Sequence, residues 1–365
     1  MIKVALVHDW LNQYGGAEQV LEVLKTLYPD APIFTSIYWP EALPEAYRHW
    51  DIRTTFMNRL PWVKRHHQPF LPLYPLAFDS LDLSRYDLVI SNKSGFCHGV
   101  ITGPETLHIC YCLTPTRYVW DLGHYAEREG LGRMTRAALQ PVVSGLRIWD
   151  RLAADRVDHF IAISSTVQRR IAHYYRRDSV VVYPPVDTDR FSPAEKVDDY
   201  YLVVSRLVPY KRVDLAVEAL SRLDRPLMVV GEGRDRRRLE AMAGQSVTFT
   251  GRLPDDEVAR LMARCRAFLF PGLDDFGISP VRAMAAGRPV IAFAGGGALD
   301  YVQEGTTGLF FREPTWDSLA SAIRRFEEHS FDPGVICSRA QQFSRAVFEE
   351  RMSTLVSDML QTSKR

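Results

Sequence analysis

AFLFPGLDDFGISPVRAMAAGRPVIAF, residues 267–293, holds two apolar runs of strand length, 267–270 and 289–293, separated by a glycine-bearing loop and a helical stretch. Ser279 before Pro280 reads as a helix cap followed by a first helical residue, and the helix should continue through Met284. Strand, loop, helix, strand is the repeating unit of a parallel α/β sheet. Gly277, just ahead of the helix, leaves room for a ligand beside amides that carry partial positive charge. Asp274 and Asp275 on the same loop can accept hydrogen bonds from hydroxyl groups. A helix start that favours anions beside two carboxylates suits a ligand that is both anionic and polyhydroxylated, and a nucleotide sugar meets both demands.

Outward from this stretch the pattern repeats. Upstream lie strand runs at 200–205 and 226–231, with helical spacing at Val213, Ala216, Val217 and Leu220 and again at Val258, Leu261, Met262 and Cys265. Downstream, Trp316, Leu319, Ala320 and Ile323 continue it. In the first half the strand candidates are 3–7, 32–38, 86–91, 108–112, 159–164 and 180–183. The proline-rich segment 183–196 interrupts the alternation. The chain therefore reads as two doubly wound domains: an acceptor-side domain over 1–190, a nucleotide-sugar domain over 198–345, and a helix at 346–365 returning to the first. Two such sheets facing each other would form a cleft at their carboxyl ends, where open α/β sheets bind ligands.

Two further strand ends carry chemistry. The run 200–205 is followed by Arg206 and, five residues on, Lys211; a guanidinium fork and a point-charge ammonium together suit a diphosphate, although a solvated basic turn has the same composition. The first strand leads into HDWLNQYGGAEQV (8–20), where Gly15 and Gly16 open a helix. Paired glycines there serve either an anion or a tight turn.

Composition narrows the class. The 365 residues include 45 Lys+Arg against 44 Asp+Glu, a net charge of +1 that argues against nucleic acid as a partner. No uninterrupted apolar run reaches the ~18 residues a membrane span needs. Five cysteines, an odd number, fit a reducing compartment and a cytoplasmic location. Cys110 and Cys112 share a strand face, but no second ligand pair follows them, so buried thiols are expected and no metal. Asp187-Thr188-Asp189 spells a DxD pattern, yet it follows two prolines and reads as a turn.

These motifs carry a resemblance. VHDW…GGAE, SRLVPYKRVDLAVEA, GEG, the run from FTGRLPDD to GRPVIA, and GGALDYVQEGTTGLFF resemble the family-4 retaining glycosyltransferases of GT-B fold. HICYCLTPTRYVWD (108–121) is similar to the segment HxxYCHTPxRYxWD of the branch that builds bacterial surface polysaccharides. The resemblance implies transfer of a hexose, mannose among the candidates, from a nucleotide diphosphate sugar, with retention and without metal or other cofactor. By the family pattern Arg206 and Lys211 neutralise the diphosphate and Gly16 brings amides near it. Asp274 is the first acidic position of the E-x7-E motif, contacting sugar hydroxyls, and the amides near Ile278 and Ser279 face the same area.

Three departures stand out. The second acidic position is Arg282, which cannot accept hydrogen bonds from ribose. The histidine of the YCHTP segment is Leu113, for which His98 is a substitute only if it is not packed in the interior. Asp274 is one methylene shorter than the usual Glu. They motivate two alternatives: a non-catalytic sugar-nucleotide or glycan-binding subunit, and a sugar-nucleotide epimerase, the latter lacking recognisable acid and base groups.

The stretch 52–78 has no acidic residue and interleaves Arg53, Arg59, Lys64 and Arg65 with Phe56, Trp62, Phe70, Tyr74 and Phe78. This composition suits either an anionic membrane surface at the inner face of the cell membrane or a proline-rich loop packed on its own domain. A second acid-free stretch, 130–149, carries Arg133, Arg136 and Arg147. The expected partners are thus a nucleotide sugar, a glycan or lipid-linked acceptor, and an anionic membrane surface.

Overall fold

The structure, a computed structural model, describes residues 2–121, 123 and 132–363. The acid-free stretch 130–149 lies partly outside them: Gly130 and the side chains of Arg133 and Arg136 are not described. The chain divides into two compact units, one running to Tyr183 and taking in the chain from Glu349 onward, the other Pro184–Phe348.

The first unit holds β1 Val4–His8, β2 Ile33–Thr35, β3 Ile52–Thr54, β4 Leu88–Lys93, β5 Leu107–Cys112, β6 His159–Ala162 and β7 Ser179–Val181. They form a seven-stranded sheet in the order β3-β2-β1-β4-β5-β6-β7, with parallel neighbours throughout. Leu6 of β1 sits between Ile33 and Ile90, and Ala5, Leu6 and Val7 are all buried. Burial on both faces explains why these strands read as continuous apolar runs rather than alternating ones. Trp10, Tyr74, Phe78 and Phe96 fill the core on one side.

The second unit holds β8 Tyr201–Val204, β9 Leu227–Val230, β10 Val247–Gly251, β11 Ala267–Phe270, β12 Val290–Phe293 and β13 Gly308–Phe311. Its sheet runs β10-β9-β8-β11-β12-β13, again parallel. The helix Val213–Leu223 buries Val213, Ala216, Val217 and Leu220 in one core with Leu319, Ala320 and Ile323 of the helix Trp316–Glu327. Each large aliphatic side chain so buried contributes roughly 1.5–3 kcal/mol. Both sheets thus have the doubly wound order expected of the GT-B α/β fold. The order reverses between β1 and β4 in one unit and between β8 and β11 in the other, and ligands of such sheets bind at these switch points.

Several expectations shift. The strand placed at 86–91 begins at Leu88, because Tyr86 is spent packing edge-on against Phe34, ring centroids 5.8 Å apart. The strands β3, β10 and β13 were not anticipated. β3 is a three-residue edge strand with an arginine at its centre, and β10 is a short edge strand with a register shift at Gly251. β13 depends on Gly308, where a Cβ would lie 1.9 Å from the Val290 carbonyl oxygen, so the strand pairs through a glycine that carries no apolar signal.

Candidate functional site

In the second unit the two strands at the switch point deliver the two loops of interest. β8 ends at Val204, and the chain passes through a single 3-10 turn, Pro209–Lys211, into Arg212, which has a left-handed backbone (φ 51°) and caps the helix Val213–Leu223. That conformation costs a non-glycine residue ~1–2 kcal/mol. The Arg212 side chain is fixed by Asp214 (3.2 Å) and by the Pro314 carbonyl (3.3 Å).

The reversal sets the backbone of Lys211 against the loop after β11. A Cβ on Gly272 would lie 2.9 Å from the Lys211 carbonyl oxygen. Lys211 Nζ forms an ion pair with Asp274 Oδ2, both side chains being largely buried. Arg206, exposed on the same loop, donates from Nη2 to Tyr210 Oη at 3.1 Å.

A third loop, unanticipated from sequence, locks the second. Gly297 donates its amide to the Asp274 carbonyl at 2.9 Å, and a Cβ on Gly296 (φ 63°) would stand 2.1 Å from that same oxygen. The signal was present in the glycine run 295–297, whose spacing was read only as part of a family motif.

The helix after Asp274 starts differently from the expectation. It spans Ile278–Ala285 and its cap is Gly277, with φ 91° and ψ 98°, rather than Ser279. Ser279 and Pro280 lie within its first turn. The reason is steric: a Cβ on Gly277 would lie 2.6 Å from Phe270 Cζ and 3.2 Å from Tyr301 Oη, so only glycine can make the turn here. No side chain caps this helix, and the amides of Ile278 and Ser279 stay at its positive end. Arg282 on the same helix is half-buried, its guanidinium carbon 6.0 Å from the centre of the Phe191 ring.

In the first unit, Gly15 has an extended backbone and precedes the helix Gly16–Leu27, which also lacks a side-chain cap. Glu18 in its first turn is buried, with Oε1 3.3 Å from His8 Nε2. Asn92, at the end of β4, bonds the Ala17 carbonyl (2.8 Å) and His8 Nδ1 (3.3 Å). The glycine pair is thereby braced across the switch point between β1 and β4. Asp9 next to it accepts the amides of Ser94 and Gly95 on Oδ2, each at 2.6 Å, and those of Phe96 and Cys97 on Oδ1 at 2.6 and 2.8 Å. Four charge-assisted bonds tie the loop after β4 to the end of β1.

His98 does not stand in for the histidine missing at Leu113. It is fully buried, stacked on Tyr175, with Nε2 3.2 Å from the Asp150 carbonyl, and burial drives its pKa down to about 3. Around it lies a buried network that sequence reading missed. Lys93 donates to the Thr114 carbonyl (3.1 Å) and Thr116 Oγ1 (3.0 Å). Asp150 in turn accepts from Thr116 Oγ1 at 2.6 Å, Trp120 Nε1 at 2.7 Å and Tyr175 Oη at 2.7 Å. This network anchors the segment 113–120. Its one clue in the sequence is a lysine closing an otherwise apolar strand.

The remaining candidates separate. Cys97, Cys110, Cys112 and Cys265 are buried free thiols, and no group of three metal-ligating side chains occurs among the described residues. Asp187 leads into the turn Thr188–Arg190, with Thr188 Oγ1 bonded to Gln341 at 2.9 Å. In the stretch 52–78, Arg53 is occupied by Asp51 (Nε to Oδ1 3.1 Å) and lies over Phe34, and Arg65 lies over Trp39. Trp62 is 80% exposed on a left-handed backbone (φ 58°), and Tyr74 and Phe78 are core residues.

Comparison with known proteins decides the family. The profile of "Glycosyl transferases group 1" matches residues 185–346 and that of "Glycosyltransferase Family 4" matches residues 14–190, so the two together run from 14 to 346. The chain belongs to the family-4 glycosyltransferases. It is 34% identical over 205 residues (47% of the chain, 53% of the relative) to the GDP-mannose-dependent alpha-(1-6)-phosphatidylinositol monomannoside mannosyltransferase of Mycobacterium tuberculosis. To the alpha-1,3/1,6-mannosyltransferase of Homo sapiens it is 30% identical over 222 residues (50% and 53%). Each match thus spans about half the length of the curated relative. Among solved structures, this family-4 chain is similar in fold to Anabaena HepE in complex with UDP (TM-score 0.73, 18% identity, 98% of this chain and 100% of the other). It is similar also to sucrose-phosphate synthase of Thermosynechococcus elongatus (TM-score 0.72, 17% identity, 98% and 100%).

Proposed function

We propose that this family-4 glycosyltransferase moves a hexose, mannose being the leading candidate, from a nucleotide diphosphate sugar to a polysaccharide or lipid-linked glycan acceptor, with retention and without a metal. The observation that carries the reading is the Lys211–Asp274 pair, delivered by β8 and β11 on either side of the switch point. A diphosphate draws the Lys211 ammonium toward itself and, with Arg206, has its developing negative charge compensated as the glycosidic bond to the sugar breaks. Asp274 is then released to accept hydrogen bonds from the sugar hydroxyls. The amides of Ile278 and Ser279 add positive partial charge without a proton to lose. The departing diphosphate takes the proton from the acceptor hydroxyl, so no paired carboxylates are required. Gly15 and Gly16 offer uncapped amides to the same anion.

The donor relatives named for GDP-mannose favour that donor, and the lipid-linked acceptors in their names favour work at a membrane surface. Trp62, exposed on a strained backbone beside Arg59, Lys64 and Arg65, supports peripheral attachment there; no described helix is long and apolar enough to cross a membrane. A thermal-shift panel of UDP, GDP, ADP and their sugar conjugates on the parent and on Arg206→Ala tests the donor site. A ligand at ~100 times its Kd adds about 2.7 kcal/mol of stability. One conjugate stabilising the parent and failing on the variant supports the reading. No stabilisation by any of them overturns it.

A further inference from the structure

The helix Arg133–Ala153 is amphipathic in an unusual sense, because its outward face is apolar. Met134, Ala138, Val142, Gly145, Ile148 and Leu152 are all exposed, and at 100° per residue they fall within an arc of about 120°. Met134 is 88% exposed, Ile148 64% and Leu152 60%. The opposite face is already satisfied: Val143 and Leu146 belong to the core of the first unit. An apolar stripe several turns long facing water marks a surface that something covers.

Charge says what covers it. The helix sequence contains Arg133, Arg136, Arg147 and Arg151 and a single acid, Asp150. Asp150 is fully buried and saturated by Thr116, Trp120 and Tyr175, so no carboxylate of the helix itself faces outward. Arg147 reaches back to the Val119 carbonyl at 2.9 Å, and Arg151 meets Asp155, beyond the helix end, at 2.6 Å. An apolar face bordered by cations, its one acid turned inward, matches the boundary between anionic headgroups and acyl chains. A protein partner would need no such bias of sign.

We infer that the outer face of Arg133–Ala153 is the lipid-contacting element of this protein, lying in the plane of an anionic membrane with Ile148 and Leu152 inserted. The inference rests on the peripheral-membrane reading above and deepens it by assigning the contact to this helix rather than to the Trp62 loop alone.

The test is co-sedimentation of the full chain with vesicles of equal phosphatidylcholine and phosphatidylglycerol, and with phosphatidylcholine alone, at low salt. The parent, Ile148→Glu/Leu152→Glu and Trp62→Glu are compared, with thermal melting as the check on folding. Because both helix positions are exposed, the double variant should melt like the parent while its partition onto anionic vesicles falls ~10-fold or more. A parent that binds neither vesicle overturns both the inference and the peripheral reading. A parent that binds while the double variant binds equally overturns the inference alone. Should the double variant convert a dimeric parent to a monomer and still bind vesicles, the stripe covers a second copy and the inference fails.

Discussion

Gly297 lies directly on the backbone of Asp274: its amide donates to the Asp274 carbonyl at 2.9 Å, and a Cβ on it would stand 2.3 Å from Phe276 Cα. The position of the Asp274 carboxylate is therefore set by a loop from the next strand, with no side chain between them. Gly297→Ala must push the two backbones apart, at a cost on the order of 1–3 kcal/mol. Melting should fall by several degrees, and donor binding by calorimetry should weaken. Unchanged binding would mean that Asp274 does not depend on this contact.

Lys211→Ala should lower turnover by roughly 10²–10³, the scale for removing one group that stabilises developing charge. Lys211→Arg retains the charge but not its point-like geometry and should recover only part of the loss. Steady-state kinetics with the donor identified by thermal shift measure both; near-parental turnover of Lys211→Ala would remove the residue from the proposed chemistry.

Three buried histidines set an acid limit on the fold. His98 has its pKa lowered by burial to about 3, and His67 and His108 have theirs lowered by burial to about 4, from an ordinary 6.5. The unfolded chain binds these protons first, so stability is complete above about pH 6.5 and falls as pH drops toward 4. Each histidine contributes a slope of up to about 1.4 kcal/mol per pH unit. Urea unfolding at pH 7.5 and 5 should show the difference, and His108→Asn should flatten it by about one proton. A parent equally stable at both values would contradict the assignment of all three as neutral in the folded state.

Asp150→Asn leaves Lys93 buried without its nearby countercharge and should cost roughly 3–5 kcal/mol. Replacing Lys93 by Met in the same chain should recover a good part of that, because the uncompensated charge is then gone. A double-mutant cycle in denaturant measures the coupling. Additive losses would show that the two residues act separately.

Legibility followed burial and reach. Strands buried on both faces, such as β1 and β11, announce themselves as apolar runs, and the cations and carboxylates at their ends could be named before any coordinates. Short edge strands could not: β3 has an arginine at its centre, and β13 is built on a glycine that must approach Val290. The helix start was misplaced by a local rule. Ser279-Pro280 has good cap chemistry, but the tertiary clash at Gly277 with Phe270 and Tyr301 decides where the turn falls. The Lys93–Asp150 network joins residues 57 positions apart, and no spacing in the chain reports such a contact.

The pairing of Lys211 with Asp274 also bears on selectivity. A bare inorganic phosphate can bind the ammonium only by stranding the carboxylate, whereas a sugar conjugate supplies a new partner for each. Once the hexose has been passed on, the nucleotide left behind is in the same position as that phosphate. Reunion of the two side chains then works against the spent nucleotide, so the feature that rejects incomplete ligands also helps to empty the site for the next round.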